Sequence, residues 1–321
     1  MRRSGSPFTG TGIVLAKEAA DQLSGIRMVV IETLVFLIAL VLAWFSTTAI
    51  RESIGQSPFL FLRLLTMAPD PIPFSFIDTV GLVTPIIAIA LGFDAVNAEF
   101  NQRTLSRILA QPIYRDALLI GKFLARLLAL AIALLSLWLL VLGVGFLRLG
   151  LPPSGEELIR MLGFLVATIA YGGVWLAVAF LFSILFRAPA TAALVALGLW
   201  LVFSFFWSLI IKPLVATLIA GPPEDIFGPN LAYIQTSQVL DRISPNTLYA
   251  EIALALLQPA TRTLGPVFIS QLRGALLGAP LPASQSFILV WPQLTGLIAA
   301  DRKSTRLNSS HRSLSRMPSS A

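Results

Sequence analysis

The chain is 321 residues long, 56% hydrophobic and only 12% charged, with a mean hydropathy of +0.83. A soluble domain carries about twice that charged fraction, and several uncharged runs of about twenty residues match a bilayer core, so the composition points to a polytopic membrane protein. The absence of cysteine excludes disulfide frameworks and thiolate metal sites, and the formal charge of +7 owes much to the last 21 residues, which hold five of the 23 Lys and Arg.

MRRSGSPFTG is not followed directly by a short apolar run and a small-residue cleavage site, so no removed signal peptide is expected. Over Gly12–Arg27 the residues Ile13, Leu15, Ala19, Ala20 and Leu23 can share a broad apolar face, with Lys17, Glu18 and Asp21 elsewhere. This pattern predicts an interfacial helix; a frayed lead-in is the alternative.

Hydropathy then predicts spans at about 28–50, 76–93, 123–147, 162–186 and 190–211, and a sixth from about 287 that is cut off at Ala300. Long uniform apolar runs in lipid must be helices, because their backbone groups need internal partners. Pro85 should bend the second. Tyr171, Gly172, Gly173 and Trp175 in the fourth either line a pathway or pack the core, the latter favoured. Ala192 and Ala196 in the fifth have the spacing for close helix approach.

Orientation follows from Lys and Arg. Ten lie in the N-terminal segment, the second-to-third loop and the fourth-to-fifth loop, against four in the opposite short loops. The excess predicts a cytoplasmic N-terminus and places residues 212–286 outside the cell as several short helices on the roof of the membrane domain. Asn246 is the expected cap of a helix over 247–258.

The longest charge-rich interval between apolar blocks is FDAVNAEFNQRTLSRILAQPIYRDALLIGK, Phe93–Lys122. From Ala95 to Leu109 its spacing is helical. Phe100, Thr104, Leu105, Ile108 and Leu109 gather on one side, while Glu99, Arg103 and Arg107 recur on another. Glu99 and Arg103 form an i,i+4 pair, and Pro112 ends the helix at Gln111. Lys122 and Arg126, one turn apart, are expected to reach lipid headgroups.

Asp301–Ala321 arrives in the middle of an apolar segment. Asp301–His311 and Ser315–Ala321 read as translated sequencing adapter on either side of an index-sized gap, so this tail is expected to be non-native. Without it the balance is 18 basic to 15 acidic residues, a net +3, and no pull toward nucleic acid needs explaining.

The order Phe93-Asp94, Glu99, Thr104-Leu105, Gln111-Pro112, Arg115 and Gly121-Lys122 resembles the permease subunits of ABC-2-type ABC transporters. Within that family the likeness is nearest to permeases grouped with nitrous-oxide-reductase maturation. The resemblance implies an all-α polytopic membrane protein of six transmembrane helices, the sixth truncated, with an N-terminal interfacial helix and a cytoplasmic coupling helix. It implies that the 94–122 loop docks into a separate cytosolic nucleotide-binding ATPase, with Glu99, Arg103, Thr104, Arg107, Pro112, Arg115 and Lys122 as the coupling residues. It further implies ATP and Mg on that partner, a second permease subunit as homo- or heterodimer, and export across a prokaryotic inner membrane. Arg103 stands where the family often has Gly, and Phe100 where a basic residue is common.

No G-x-x-x-x-G-K-[ST] occurs, so ATP hydrolysis is expected on another polypeptide. A secondary transporter or channel would keep ionisable groups deep in its spans, whereas Glu32, Asp78 and Asp94 lie toward span ends. An intramembrane enzyme would need a nucleophile with a base, paired carboxylates or metal ligands. No His or Cys precedes residue 301.

Overall fold

A computed structural model describes residues 10–52, 59–70, 72–98, 115–225, 228–259 and 281–314. The expected interfacial helix is α1, Thr11–Leu23, which ends at Ser24, whose hydroxyl donates to the Ala20 carbonyl at 2.7 Å. After a turn at Gly25 the chain enters α2, Ile26–Glu52. Short α3, Leu60–Thr66, precedes α4, Phe76–Gly92, and α5 then runs Arg115–Leu149 and α6 Gly155–Leu185. Next, α7, Pro189–Leu201, continues through a π-helical stretch, Val202–Ile211, into α8, Lys212–Ala220. A two-residue ribbon pairs β1, Glu224–Asp225, with β2, Gly228–Pro229. Finally come α9, Leu231–Asp241, α10, Pro245–Leu257, and α11, Ala283–Leu314.

Four of the expected spans are helices long and apolar enough to cross a membrane, within α2, α5, α6 and the continuous α7–π–α8 rod. The second is α4, a shorter apolar helix of 17 residues that contains Pro85. The fifth helix continues past the expected end at Ile211 because Lys212 is met by Asp241 at 3.0 Å. Pro213 follows directly. In an α-helix its ring would press on the carbonyl four residues back, and the wider π turns end against it. The helical backbone of α11 runs on through residue 300 to Leu314.

Two helix starts are written in the sequence as capping boxes. Ser75 accepts from the Asp78 amide while Asp78 accepts from the Ser75 amide, and Ser154 and Glu157 do the same for α6. Buried Glu157 also reaches a second element. Its other oxygen accepts from the Phe61 amide at 2.8 Å, fixing α3 to α6.

The core is built around α6. In its most apolar window 72% of the residues are buried, against 28% for α2 and 11% for the α7–π–α8 rod. Small residues let neighbouring helices close on it. A Cβ on Gly172 would lie 2.7 Å from Leu130 Cδ2 of α5 and 2.9 Å from Thr84 Cγ2 of α4. Tyr171 and Trp175, each 1% exposed, pack the interior, which settles them as core. Ala192 and Ala196 are also fully buried within the protomer, so their close approach is used inside it. The rod presents Leu194, Phe205, Phe206, Leu209 and Leu218 outward.

Candidate functional site

Of the seven sequence-predicted coupling residues, Glu99, Arg103, Thr104, Arg107 and Pro112 lie outside the described residues. Arg115 opens the backbone of α5. Lys122 lies within α5, and it and the residues on either side of the loop define how the loop is held.

The entry stem follows α4. The Phe93 amide donates to Ile89 O at the helix end, and the chain turns through Asp94 and Ala95. Ser183 of α6, itself buried, accepts from the amides of Val96 at 2.8 Å and Asn97 at 3.3 Å. Asp94 pairs with Arg27 at 2.8 Å, and the Arg27 guanidinium stands 5.4 Å above the Phe93 ring. The entry stem is therefore tied to α6 and to the first turn of α2.

The exit stem is the first part of α5. Lys122 Nζ donates to Glu18 at 3.0 Å, and Arg126 approaches the other Glu18 oxygen at 3.6 Å. All three groups are withdrawn from solvent, with side-chain exposures of 15% for Glu18, 4% for Lys122 and 9% for Arg126. Arg126 also donates through Nε to the Leu91 carbonyl at 2.9 Å and through Nη1 to the Lys122 carbonyl at 3.2 Å. Leu91 lies in the last turn of α4, where carbonyls lack helical partners and the dipole favours a cation. Arg126 thereby bridges the Glu18 carboxylate and the C-terminus of α4.

The expectation that Lys122 and Arg126 reach headgroups is corrected here. Both turn inward because α1 covers them and supplies the carboxylate. Close approach is possible because Gly121 has no side chain: a Cβ there would sit 2.8 Å from Val14 Cγ1 and 2.9 Å from Val14 Cβ. α1 turns one side to the other helices. Val14 and Ala19 are buried, with Leu15, Glu18 and Gln22 beside them, whereas Ile13 is 77% exposed. Lys17 and Asp21 pair with each other on the outside at 3.9 Å, both largely exposed.

Sequence reasoning missed Glu18, Arg27, Ser183 and the role of Val14. A usable signal existed: Val14 and Glu18 share a helix face at i,i+4, as do Lys122 and Arg126. A carboxylate beside an apolar residue on one helix can be matched to cations beside a glycine on another.

At the opposite end of α6, Arg160 is wholly buried. It donates to Glu156 at 3.0 Å, to the Leu256 carbonyl at 2.9 Å, to Ser286 Oγ at 3.1 Å and to the Leu281 carbonyl. Arg160, one of the four cations counted in the opposite short loops, instead stitches α6, α10 and the start of α11 together. Asn246, expected to cap α10, does not. Ser244 holds the cap position without a side-chain bond, because the Asn246 amide is engaged by Tyr171 and Ser204.

A family model described as "ABC-2 family transporter protein" matches residues 12–269. The chain belongs to that family. It is 28% identical over 290 residues to the "Probable ABC transporter permease protein NosY" of Stutzerimonas stutzeri, covering 89% of this chain and 95% of that protein. The protein of the same description from Pseudomonas aeruginosa is 32% identical over 203 residues, covering 61% of this chain and 67% of that protein. Membership, together with the apolar helices, makes this an ABC transporter membrane subunit embedded in the membrane.

Proposed function

We propose that the chain is the permease of an ATP-driven exporter and takes its work from a separate cytosolic ATPase through the loop at 94–122. The observation that carries this reading is the double anchorage of that loop. Asp94–Arg27 and the Ser183 bonds hold its entry, and Glu18–Lys122–Arg126 holds its exit. A partner pushing on a loop so fastened moves α1, α4, α5 and α6 rather than bending a connector. ATP and Mg are assigned to the partner, and a second permease, of the same or a related chain, completes the pathway. The loop end faces the cytoplasm of a prokaryotic cell with its multi-pass protein in the inner membrane, in line with the Lys and Arg excess there. No nucleic acid is involved.

The test replaces Glu99 and Arg103 together with Ala and purifies tagged wild type and variant from the native membrane. Wild type should bring down vanadate-sensitive ATP hydrolysis. The variant, inserted normally, should retain less than a tenth of it or hydrolyse ATP without transport. Undiminished hydrolysis and transport in the variant would overturn the assignment.

A further inference from the structure

Two of the four cations counted in the short loops opposite the coupling loop, Arg51 and Arg148, belong to one face of α2. Arg148 of α5 lays its guanidinium over the Trp44 ring at 3.9 Å and donates through Nη2 to Thr48 Oγ1 at 3.0 Å. Thr48 in turn donates to the Trp44 carbonyl at 2.9 Å, so ring and hydroxyl are fixed to one turn of α2. Trp44, Thr48 and Arg51 follow one another at i, i+4 and i+7, which puts Arg51 one turn beyond on the same face.

Depth places this group in a headgroup layer. At ~1.5 Å per residue, Thr48 is about 32 Å along α2 from Arg27, and Arg148 is about 33 Å along α5 from Arg126. Arg27 and Arg126 both belong to the anchored stems of the loop. Two helices thus put Arg148 about one hydrocarbon thickness, ~30 Å, from the loop end. Trp44, half exposed at that level, is the type of side chain that lies among headgroups.

The protein does not neutralise the charge there. A ring face attracts a cation without cancelling it, and Thr48 is a neutral acceptor. The ion pairs among the described residues involve neither Arg148 nor Arg51. A guanidinium carries five N–H donors. Thr48 takes one, and Nε is enclosed with no partner among the described residues. Such a planar fork suits a phosphodiester, whose paired oxygens it can grip bidentately.

The same face of α2 is apolar toward the membrane centre. It continues from Trp44 through Val41 and Leu37, both about half exposed, while Leu147, next to Arg148 in sequence, is 81% exposed. A free phosphate fits the charged end alone. A second copy of this chain, related by a two-fold axis along the membrane normal, would bring its own arginines to the same depth and set like charge against like. A phospholipid with a net negative headgroup meets both the charge and the apolar strip.

We infer that Arg148, Thr48, Trp44 and Arg51 form a binding site for one anionic phospholipid, its phosphate on the two guanidinium groups and an acyl chain along α2. The site depends on neither the ATPase nor the direction of transport. Bound there, the lipid ties α2 to the end of α5, as Glu18 ties α1 to its beginning.

The test uses the full chain, purified in detergent, stripped of lipid and titrated with phosphatidylglycerol in native mass spectrometry. Wild type should retain one phosphatidylglycerol per chain at collision energies that remove phosphatidylcholine. Arg51→Gln with Arg148→Gln should lower that retention at least tenfold, and Trp44→Leu, at an exposed position, at least threefold. If the double variant does not insert, the Trp44→Leu result decides. Equal retention of the two lipids, or variants that retain phosphatidylglycerol as wild type does, overturns the inference. Displacement of the lipid by millimolar inorganic phosphate overturns it in favour of a free anion. A double variant that loses self-association while holding phosphatidylglycerol overturns it in favour of an interface between copies.

Discussion

Neutralising Glu18 should free α1 from the exit stem of the loop. The carboxylate sits 3.0 Å from Lys122 and 3.6 Å from Arg126. At an effective dielectric constant of ~20 each contact is worth about 5 kcal/mol before desolvation is subtracted. The net consequence of removing one partner of a buried pair is about 3–5 kcal/mol. If α1 undocks locally, at ~1.4 kcal/mol per decade its open population rises by roughly two to three and a half orders of magnitude. Glu18→Gln, which keeps the shape, is the sharpest variant. Hydrogen exchange read by mass spectrometry should show protection lost over residues 14–23 by at least a hundredfold, with α6 unaffected. Lys122→Glu combined with Glu18→Lys restores one ion pair and should recover much of that protection. Exchange in Glu18→Gln matching wild type would refute the clamp, and so would failure of the reversed pair to do better than Glu18→Lys alone.

Two further outcomes follow from the packing. Gly121→Val places atoms where Val14 already stands, so it should loosen α1 as Glu18→Gln does, at an overpacking cost of about 1–3 kcal/mol, seen in the same exchange window. Arg160→Ala should lower detergent-solubilised stability by about 3–5 kcal/mol, since Glu156 and two backbone carbonyls lose their donor. Arg160→Lys should recover only part of it in a thermal melt, because a point charge cannot serve acceptors spread around a planar guanidinium.

Much of the architecture was legible because lipid imposes it. Uncharged runs of about twenty residues must become helices, and α2, α5, α6 and the α7–π–α8 rod lie where hydropathy put them. A helix ahead of the first span was also legible, but the side it turns to its neighbours was not. Ile13 and Val14 are adjacent in sequence and equivalent in hydropathy, yet only Val14 is buried, and that choice is made by Gly121 in a helix about a hundred residues away. The end of the fifth helix was misplaced for a related reason. Lys212 followed by Pro213 reads as a stop, until Asp241 neutralises the lysine and π-helical turns accommodate the proline.

The same blindness governs the charged residues, and it has a functional side. Composition alone treats Lys122, Arg126 and Arg160 as anchors facing water or headgroups, the least costly place for an isolated cation. Each is buried; Lys122 is held by Glu18 of α1, and Arg126 and Arg160 are each held by groups from two or more elements. In a chain with so little charge, a cation taken out of solvent ties helices together more firmly than apolar contact, which lipid tails can replace without loss. Glu18 with Lys122 and Arg126 does this at the loop end, and Arg160 does it at the other. Between them lies Tyr171, whose single proton has two acceptors within reach.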